Sequence, residues 1–285
     1  MTKPERCYLV CSTQRSGSTL LCELLMASGV AGRPYEYFEA VHDTGCPPHP
    51  GDYLHGLPRT GAGVRDDSTP PRAPEYSSLE GVDDYRDHLA RTLETGTTDN
   101  GVFGAKLMFN QIPEVRALTA GFPEFTDCDD AGLLARILGD PPELKYIWVS
   151  REDKVRQAVS LWRAMQTRSW RYDESQHVNF EPQYRFTGID HLVNRLQADD
   201  EGWGKFFAEH RIEPLKVCYE DDLERDPSAA VNAALDFIGV SAPADWTAGP
   251  PLKRQADTLS DTWVAAYQED SATRGERPSP SGSAD

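Results

Sequence analysis

Two periods of apolar and polar positions run along this chain, and their alternation sets out its elements. Short apolar runs of strand length occur at residues 7–11, 102–109, 144–150 and 214–219. Between them the period lengthens to that of a helix. Leu20, Leu21, Leu24 and Leu25 make one apolar stripe, closed by Gly29, and Tyr85, Leu89 and Leu93 repeat at i, i+4 and i+8 within 82–95. Residues 129–138 open on an Asp pair and stop before Gly139. The strongest helix spans 152–170, with Val155, Val159, Trp162 and Met165 on one face. Another covers 189–210, and 227–238 opens with Asp226 as cap and Pro227 in the first turn. Strands that alternate with helices imply a parallel sheet covered on both faces, with ligands at the carboxyl ends of the strands.

Residues 42–78 break the pattern. Pro47, Pro48, Pro50, Pro58, Pro70, Pro71 and Pro74, with several glycines, defeat regular structure and predict a long loop over the ligand-binding face. The Pro/Ser-rich end, 271–285, is expected to be a disordered tail, which leaves residues 1–270 as a single domain.

Composition narrows the function classes. A hydrophobic fraction of 39 % over 285 residues suits one substantial α/β domain. No apolar run reaches the roughly 18 residues of a membrane span, so no stable membrane insertion is expected. The chain runs from Met1 almost directly into its first strand with no secretory signal, and a cytoplasmic protein is expected. The cysteines at 7, 11, 22, 46, 128 and 218 lack paired metal spacing, which predicts free thiols and no metal. A net charge of −17 argues against nucleic acid and polyanionic partners. Screening confines such fields to about 8 Å at physiological salt, so a local cluster of cations still admits a small anion.

The candidate chemistry starts at residues 12–21, Ser-Thr-Gln-Arg-Ser-Gly-Ser-Thr-Leu-Leu, between the first strand and the first helix. A helix N-terminus offers unpaired N–H groups and a favourable dipole to an anion. Gly17 permits close backbone approach, Ser16, Ser18 and Thr19 add hydroxyls, and Arg15 adds a fixed charge. A Walker loop would need a Lys before the Ser or Thr, and here Gly17 is followed directly by Ser18. The segment resembles instead the 5′-phosphosulfate loop of sulfotransferases, which use 3′-phosphoadenosine 5′-phosphosulfate (PAPS) and need no metal. Further on, Lys106 interrupts an apolar strand, a costly place for a charge unless it is paired. Glu36 and Glu39, just beyond the first helix, are rival carboxylates for a general base, and the residues alone do not separate them.

Several segments agree with one family. Residues 12–21, Gly-Val-Ala-Gly-Arg-Pro-Tyr-Glu-Tyr-Phe (29–38), Gly-Ala-Lys-Leu-Met-Phe-Asn-Gln (104–111), Gln-Ala-Val-Ser-Leu-Trp-Arg-Ala-Met-Gln-Thr-Arg (157–168) and Leu-Lys-Arg-Gln-Ala-Asp (252–257) resemble the bacterial trehalose sulfotransferases, a family of PAPS-dependent enzymes. Tyr-Glu-Asp-Asp-Leu…Asp-Pro (219–227) resembles a wider sulfotransferase feature. The resemblance implies a P-loop-NTPase-like three-layer α/β/α fold, PAPS as donor, a homodimer, and trehalose, a related sugar or a glycolipid headgroup as acceptor.

It also implies roles. Gln14, Arg15, Ser16, Gly17, Ser18 and Thr19 hold the 5′-phosphosulfate, and Arg254 belongs to a late basic segment that closes over the nucleotide. Arg151 after its strand, with Ser160 on the following helix, grips the 3′-phosphate. The interval between them is nine residues where eight is usual, and Val159 takes the eighth position. Arg151 also admits a simpler reading as a helix-start ion pair with Glu152 or Asp153. The family's catalytic glutamate falls on Glu36, with Lys106 and Arg15 stabilising the transferring group. Asn110, Gln111, Gln166 and Arg168 are polar positions suited to hydrogen-bonding a sugar. Two other classes fit a strand-loop-helix of this kind: a P-loop phosphotransferase and a non-catalytic nucleotide-binding protein.

Overall fold

The computed structural model describes residues 4–38, 85–167, 181–244, 246–247 and 258–275. The predicted loop at 42–78 and the tail from residue 276 lie outside the described residues. Where the sequence treats 1–270 as one domain, the chain divides into two compact units. The first comprises Met1–His49, Asp67–Glu152 and Leu196–Leu252, and the second Pro50–Asp66, Asp153–Arg195 and Lys253–Asp285.

The first unit carries a parallel sheet built from β1 (Arg6–Ser12), β2 (Val102–Met108), β3 (Leu144–Ser150) and β4 (Leu215–Cys218), ordered β2-β1-β3-β4. Its strand registers pair Val10 with Lys106 and with Ile147, so the three strand ends finish side by side. Period-two alternation divides the sheet's faces. Cys7, Leu9 and Cys11 point into one core with Phe103, Ala105, Leu107, Leu133, Leu134 and Trp203, while Tyr8 and Val10 point into the other with Leu21, Leu25, Val217, Val231 and Leu235. The second core seats α1 (Ser18–Ala27) and α7 (Pro227–Ile238). The first seats α2 (Tyr85–Gly96), α3 (Ile112–Thr119), α4 (Asp130–Ile137) and the C-terminal part of α6 (Phe186–Glu209). This is the expected three-layer α/β/α arrangement. The chain leaves β1 for β2 on one side and then crosses to β3 on the other, so the order reverses between β1 and β3. Ligands of open α/β sheets collect at that reversal.

Local chemistry accounts for the helix limits. The Asp129 side chain accepts from the Gly132 N–H at the start of α4, and Asp226 accepts from Ala229 N–H at the start of α7. Gly239 ends α7 at φ 84°, in the left-handed region.

The second unit carries α5 (Lys154–Thr167), the first turns of α6, and α8 (Thr258–Gly275). Asp153 accepts from the Arg156 N–H and caps α5, so the helix starts two residues later than its apolar pattern suggests. Trp162, Ile189, Trp263 and Tyr267 are buried here. Arg156 pairs with Asp261 at 2.6 Å, and Tyr267 donates to Asp190 at 2.8 Å. The apolar pattern did not indicate α8. Its run to Gly275 also corrects the tail assigned from 271, because Arg274 still stacks on Phe186 at 4.2 Å. Among the described residues no helix is long and apolar enough to cross a membrane.

Candidate active site

The reversal between β1 and β3 is where the 12–18 turn emerges. Arg15 stands at φ 62° and Gly17 at φ 92°, both left-handed, with Ser16 between them on the ordinary side. Alternating handedness turns successive N–H groups toward one point and makes a concave anion nest. No side chain caps the N-terminus of α1, so its first N–H groups face the same region. Ser16 is fully buried, and its Oγ has no hydrogen-bond partner among the described residues. A buried hydroxyl without a partner is rare in a folded protein and fits a phosphate or sulfate oxygen held in the nest. Ser18 is buried and Thr19 half-buried on the first turn of the helix.

Thr19 leads to the charged pair. Lys106, in the middle of β2, is 5 % exposed, and its Nζ donates to Thr19 Oγ1 at 3.0 Å. The same ammonium lies 2.5 Å from Glu36 Oε1. The charge that interrupts an apolar strand is therefore paired, as its burial demands. Glu36 sits on an extended segment tied down on both sides: Lys106 N–H donates to Tyr35 O at 2.8 Å, and His88 Nε2 donates to Tyr37 O at 2.8 Å. Its rival Glu39 lies outside the described residues.

The polar positions after β2 serve two purposes. Gln14 Nε2 donates to Asn110 Oδ1 at 2.8 Å, which ties the nest to the end of β2. Gln111 is buried, and its Oε1 accepts from Met108 N–H, so it shapes the turn after the strand. Asn110 is half-buried beside the loop and is the more accessible of the two.

Arg151 follows β3 directly. Its Nη1 donates to Arg15 O at 3.1 Å, which brings the two predicted donor-site arginines to one place. Its guanidinium lies 4.5 Å over the Tyr219 ring and pairs with Glu220 at 3.5 Å. Glu220 also accepts from Glu152 N–H at 3.0 Å. Tyr219 and Glu220 open a single π-turn, Tyr219–Leu223, directly after β4. Such turns gather at functional sites. The 219–227 segment was legible as a family feature, but neither side chain had a role from sequence. Only the strand order puts them beside Arg151.

Ser160 and Gln166 belong to the second unit. Val159 is buried with the apolar stripe of α5, whereas Ser160 is half-buried. Gln166 is 1 % exposed, and its amide both donates to and accepts from the backbone of Gln183. That engagement makes it a support for residue 183. Arg168 and Arg254 lie outside the described residues. Among the described residues, Glu152, Cys218 and Asp221 are close enough to share a cation, but the two carboxylates are exposed, an ordinary state for acidic groups at a surface.

A nest at a helix N-terminus, an arginine across from it and a carboxylate–ammonium pair at its rim can hold a doubly anionic donor and take a proton beside it. Trehalose 2-sulfotransferase of Mycobacterium tuberculosis (strain ATCC 35801 / TMC 107 / Erdman) is 36 % identical over 96 % of this chain and 99 % of its own length. Trehalose 2-sulfotransferase of Mycolicibacterium smegmatis (strain ATCC 700084 / mc(2)155) is 37 % identical over 94 % of this chain and 96 % of its own. A solved structure, the sulfotransferase domain from the Synechococcus PCC 7002 olefin synthase, aligns over 98 % of both chains at 18 % identity, with a TM-score of only 0.34. The Stf0 sulphotransferase family matches residues 7–270, nearly the whole chain. The protein is a sulfotransferase and belongs to the Stf0 family.

Proposed function

We propose that this enzyme transfers a sulfuryl group from PAPS to a hydroxyl of trehalose or of a closely related sugar, free or as a glycolipid headgroup. The observation that carries the reading is the Glu36–Lys106–Thr19 chain, which sets a carboxylate and an ammonium at the rim of the anion nest. The relatives, named as trehalose 2-sulfotransferases over nearly their full length, supply the acceptor class.

In this mechanism the nest, Arg15 and the N-terminus of α1 bind the 5′-phosphosulfate, and Gln14 is held against Asn110 to keep the nest open. Arg151 takes the 3′-phosphate. For Ser160 the family's pattern alone supports the same role. Glu36 accepts the proton of the acceptor hydroxyl as its oxygen bonds to sulfur. The bond from sulfur to the 5′-phosphate oxygen breaks, its electron pair leaves with 3′,5′-ADP, and Arg15 and Lys106 stabilise the developing charge. Glu36 then returns its proton to water. No step calls for a metal. Arg254 keeps the role its position in the family suggests, Glu39 and Arg168 are candidates for binding the acceptor, and Gln111 and Gln166 act through the backbone they hold.

The free thiols Cys7, Cys11, Cys22, Cys128 and Cys218 support a reducing, cytoplasmic setting. The homodimer rests on the family resemblance.

The deciding experiment follows labelled sulfate from PAPS to trehalose. Glu36→Gln is expected to lower kcat by about 10²- to 10⁴-fold, the usual contribution of a general base. Full turnover by that variant would remove Glu36 from the chemistry. Transfer to another sugar, with none to trehalose, would correct the acceptor alone.

A further inference from the structure

The ammonium of Lys106 has two claimants. It is nearly excluded from water, so it must be compensated by a nearby anion or by strong acceptors. In the structure Glu36 supplies that anion at 2.5 Å and Thr19 supplies a hydroxyl acceptor. Thr19 lies in the first turn of α1, beside the N–H groups that attract a phosphosulfate. An anion settling on the nest therefore arrives within reach of the same ammonium. The backbone is not free to follow, because Lys106 N–H is bonded to Tyr35 O and its strand is in register with β1 through Val10. A change of partner therefore falls to the side chains of Lys106 and Glu36.

We propose that Lys106 is a counter-ion shared between Glu36 and the 5′-phosphosulfate, so that donor binding draws the ammonium from Glu36 and frees that carboxylate for the acceptor hydroxyl. This deepens the proposed function and rests on its assignment of the nest to the donor. While Glu36 holds the ammonium, its Oε1 is engaged. Once the donor takes the ammonium, that oxygen is available, so the base is armed only when there is something to transfer. Two anions competing for one buried cation are linked, and each weakens the hold of the other by the same factor. Donor before acceptor is the productive order of binding.

Binding of 3′,5′-ADP measured by calorimetry at fixed ionic strength tests this without any acceptor. Glu36→Gln removes the competing anion and is expected to tighten binding about fivefold or more, the lower end of typical couplings. Lys106→Gln is expected to weaken binding, and in that background Glu36→Gln should have no further effect. The proposal is overturned if Glu36→Gln binds no tighter than wild type. It is equally overturned if the gain persists without the lysine, since simple repulsion by Glu36 would then explain it. Thermal unfolding of each variant without nucleotide is read first, and Lys106→Met replaces Lys106→Gln if the latter does not fold. If the wild type takes up no 3′,5′-ADP, the donor assignment itself fails and this coupling with it. If it binds and Glu36→Gln is neutral, only the coupling falls.

Discussion

Gly17 and Tyr219 press on each other across the anion nest: a Cβ built on Gly17 would run into the edge of the Tyr219 ring. Residue 17 also stands at φ 92°, where an L side chain costs about 1–2 kcal/mol. Gly17→Ala is therefore expected to lower the melting temperature and to displace Tyr219, with loss of nucleotide affinity. A variant with wild-type stability and 3′,5′-ADP affinity would show that the ring yields freely.

Arg15 should govern ligand-linked stability. At 3′,5′-ADP concentrations of 100 times Kd, wild type is expected to gain about 2.7 kcal/mol. Arg15→Ala should lose most of that gain at the same concentration. A chelator in the buffer should leave the wild-type gain unchanged, and a gain restored only by Mg²⁺ would favour a phosphotransferase.

Arg151 tests which end of the nucleotide lies where. A charge-assisted hydrogen bond contributes about 1.5–3 kcal/mol, or roughly 10- to 100-fold in affinity. Arg151→Ala is expected to weaken 3′,5′-ADP by that factor and to leave 5′-AMP almost unaffected. An equal loss for both nucleotides would mean that Arg151 acts through Arg15 O and the nest.

His88 predicts a stability change with pH. Burial lowers its pKa from 6.5, Arg91 lowers it further, and its hydrogen bond to Tyr37 O opposes both. The folded state therefore favours the neutral ring, while the unfolded chain takes up a proton below about pH 6.5. This contribution is present above that pH and is lost as pH falls toward the depressed folded value. Urea unfolding at about pH 7.5 and 5.5 should show a smaller difference for His88→Gln than for wild type. Identical differences would mean that the ring titrates alike in both states.

Elements defined by local chemistry were legible in the sequence. Asp226 and Pro227 mark the start of α7, and the apolar run at 144–150 marks β3 to the residue. α3 was missed although Ile112, Val115 and Thr119 lie on one buried face, because its eight residues offer barely two turns of pattern. α8 was missed because its buried Trp263, Val264 and Tyr267 are diluted by acidic and small residues. Its order comes from partners such as Arg156 and Asp190, distant in sequence.

The candidate site divides in the same way. The nest is written in consecutive residues and was legible. Lys106 announced itself as a charge among apolar neighbours, but its partner did not, since Glu36 meets it only through the pairing of Tyr35 with β2. The same non-local pairing brings Tyr219 and Glu220 to Arg151.

A buried lysine on a strand, held by a half-buried carboxylate, is a poor way to build a stable protein. Replacing such pairs with well-packed apolar residues is often neutral or stabilising by about 1–4 kcal/mol. Chains chosen in the laboratory only for surviving heat would therefore drift toward apolar residues at 36 and 106, and on the proposed mechanism would lose turnover as they became sturdier. Under the proposed mechanism a thermostabilised version of the enzyme should be sought everywhere except at this pair.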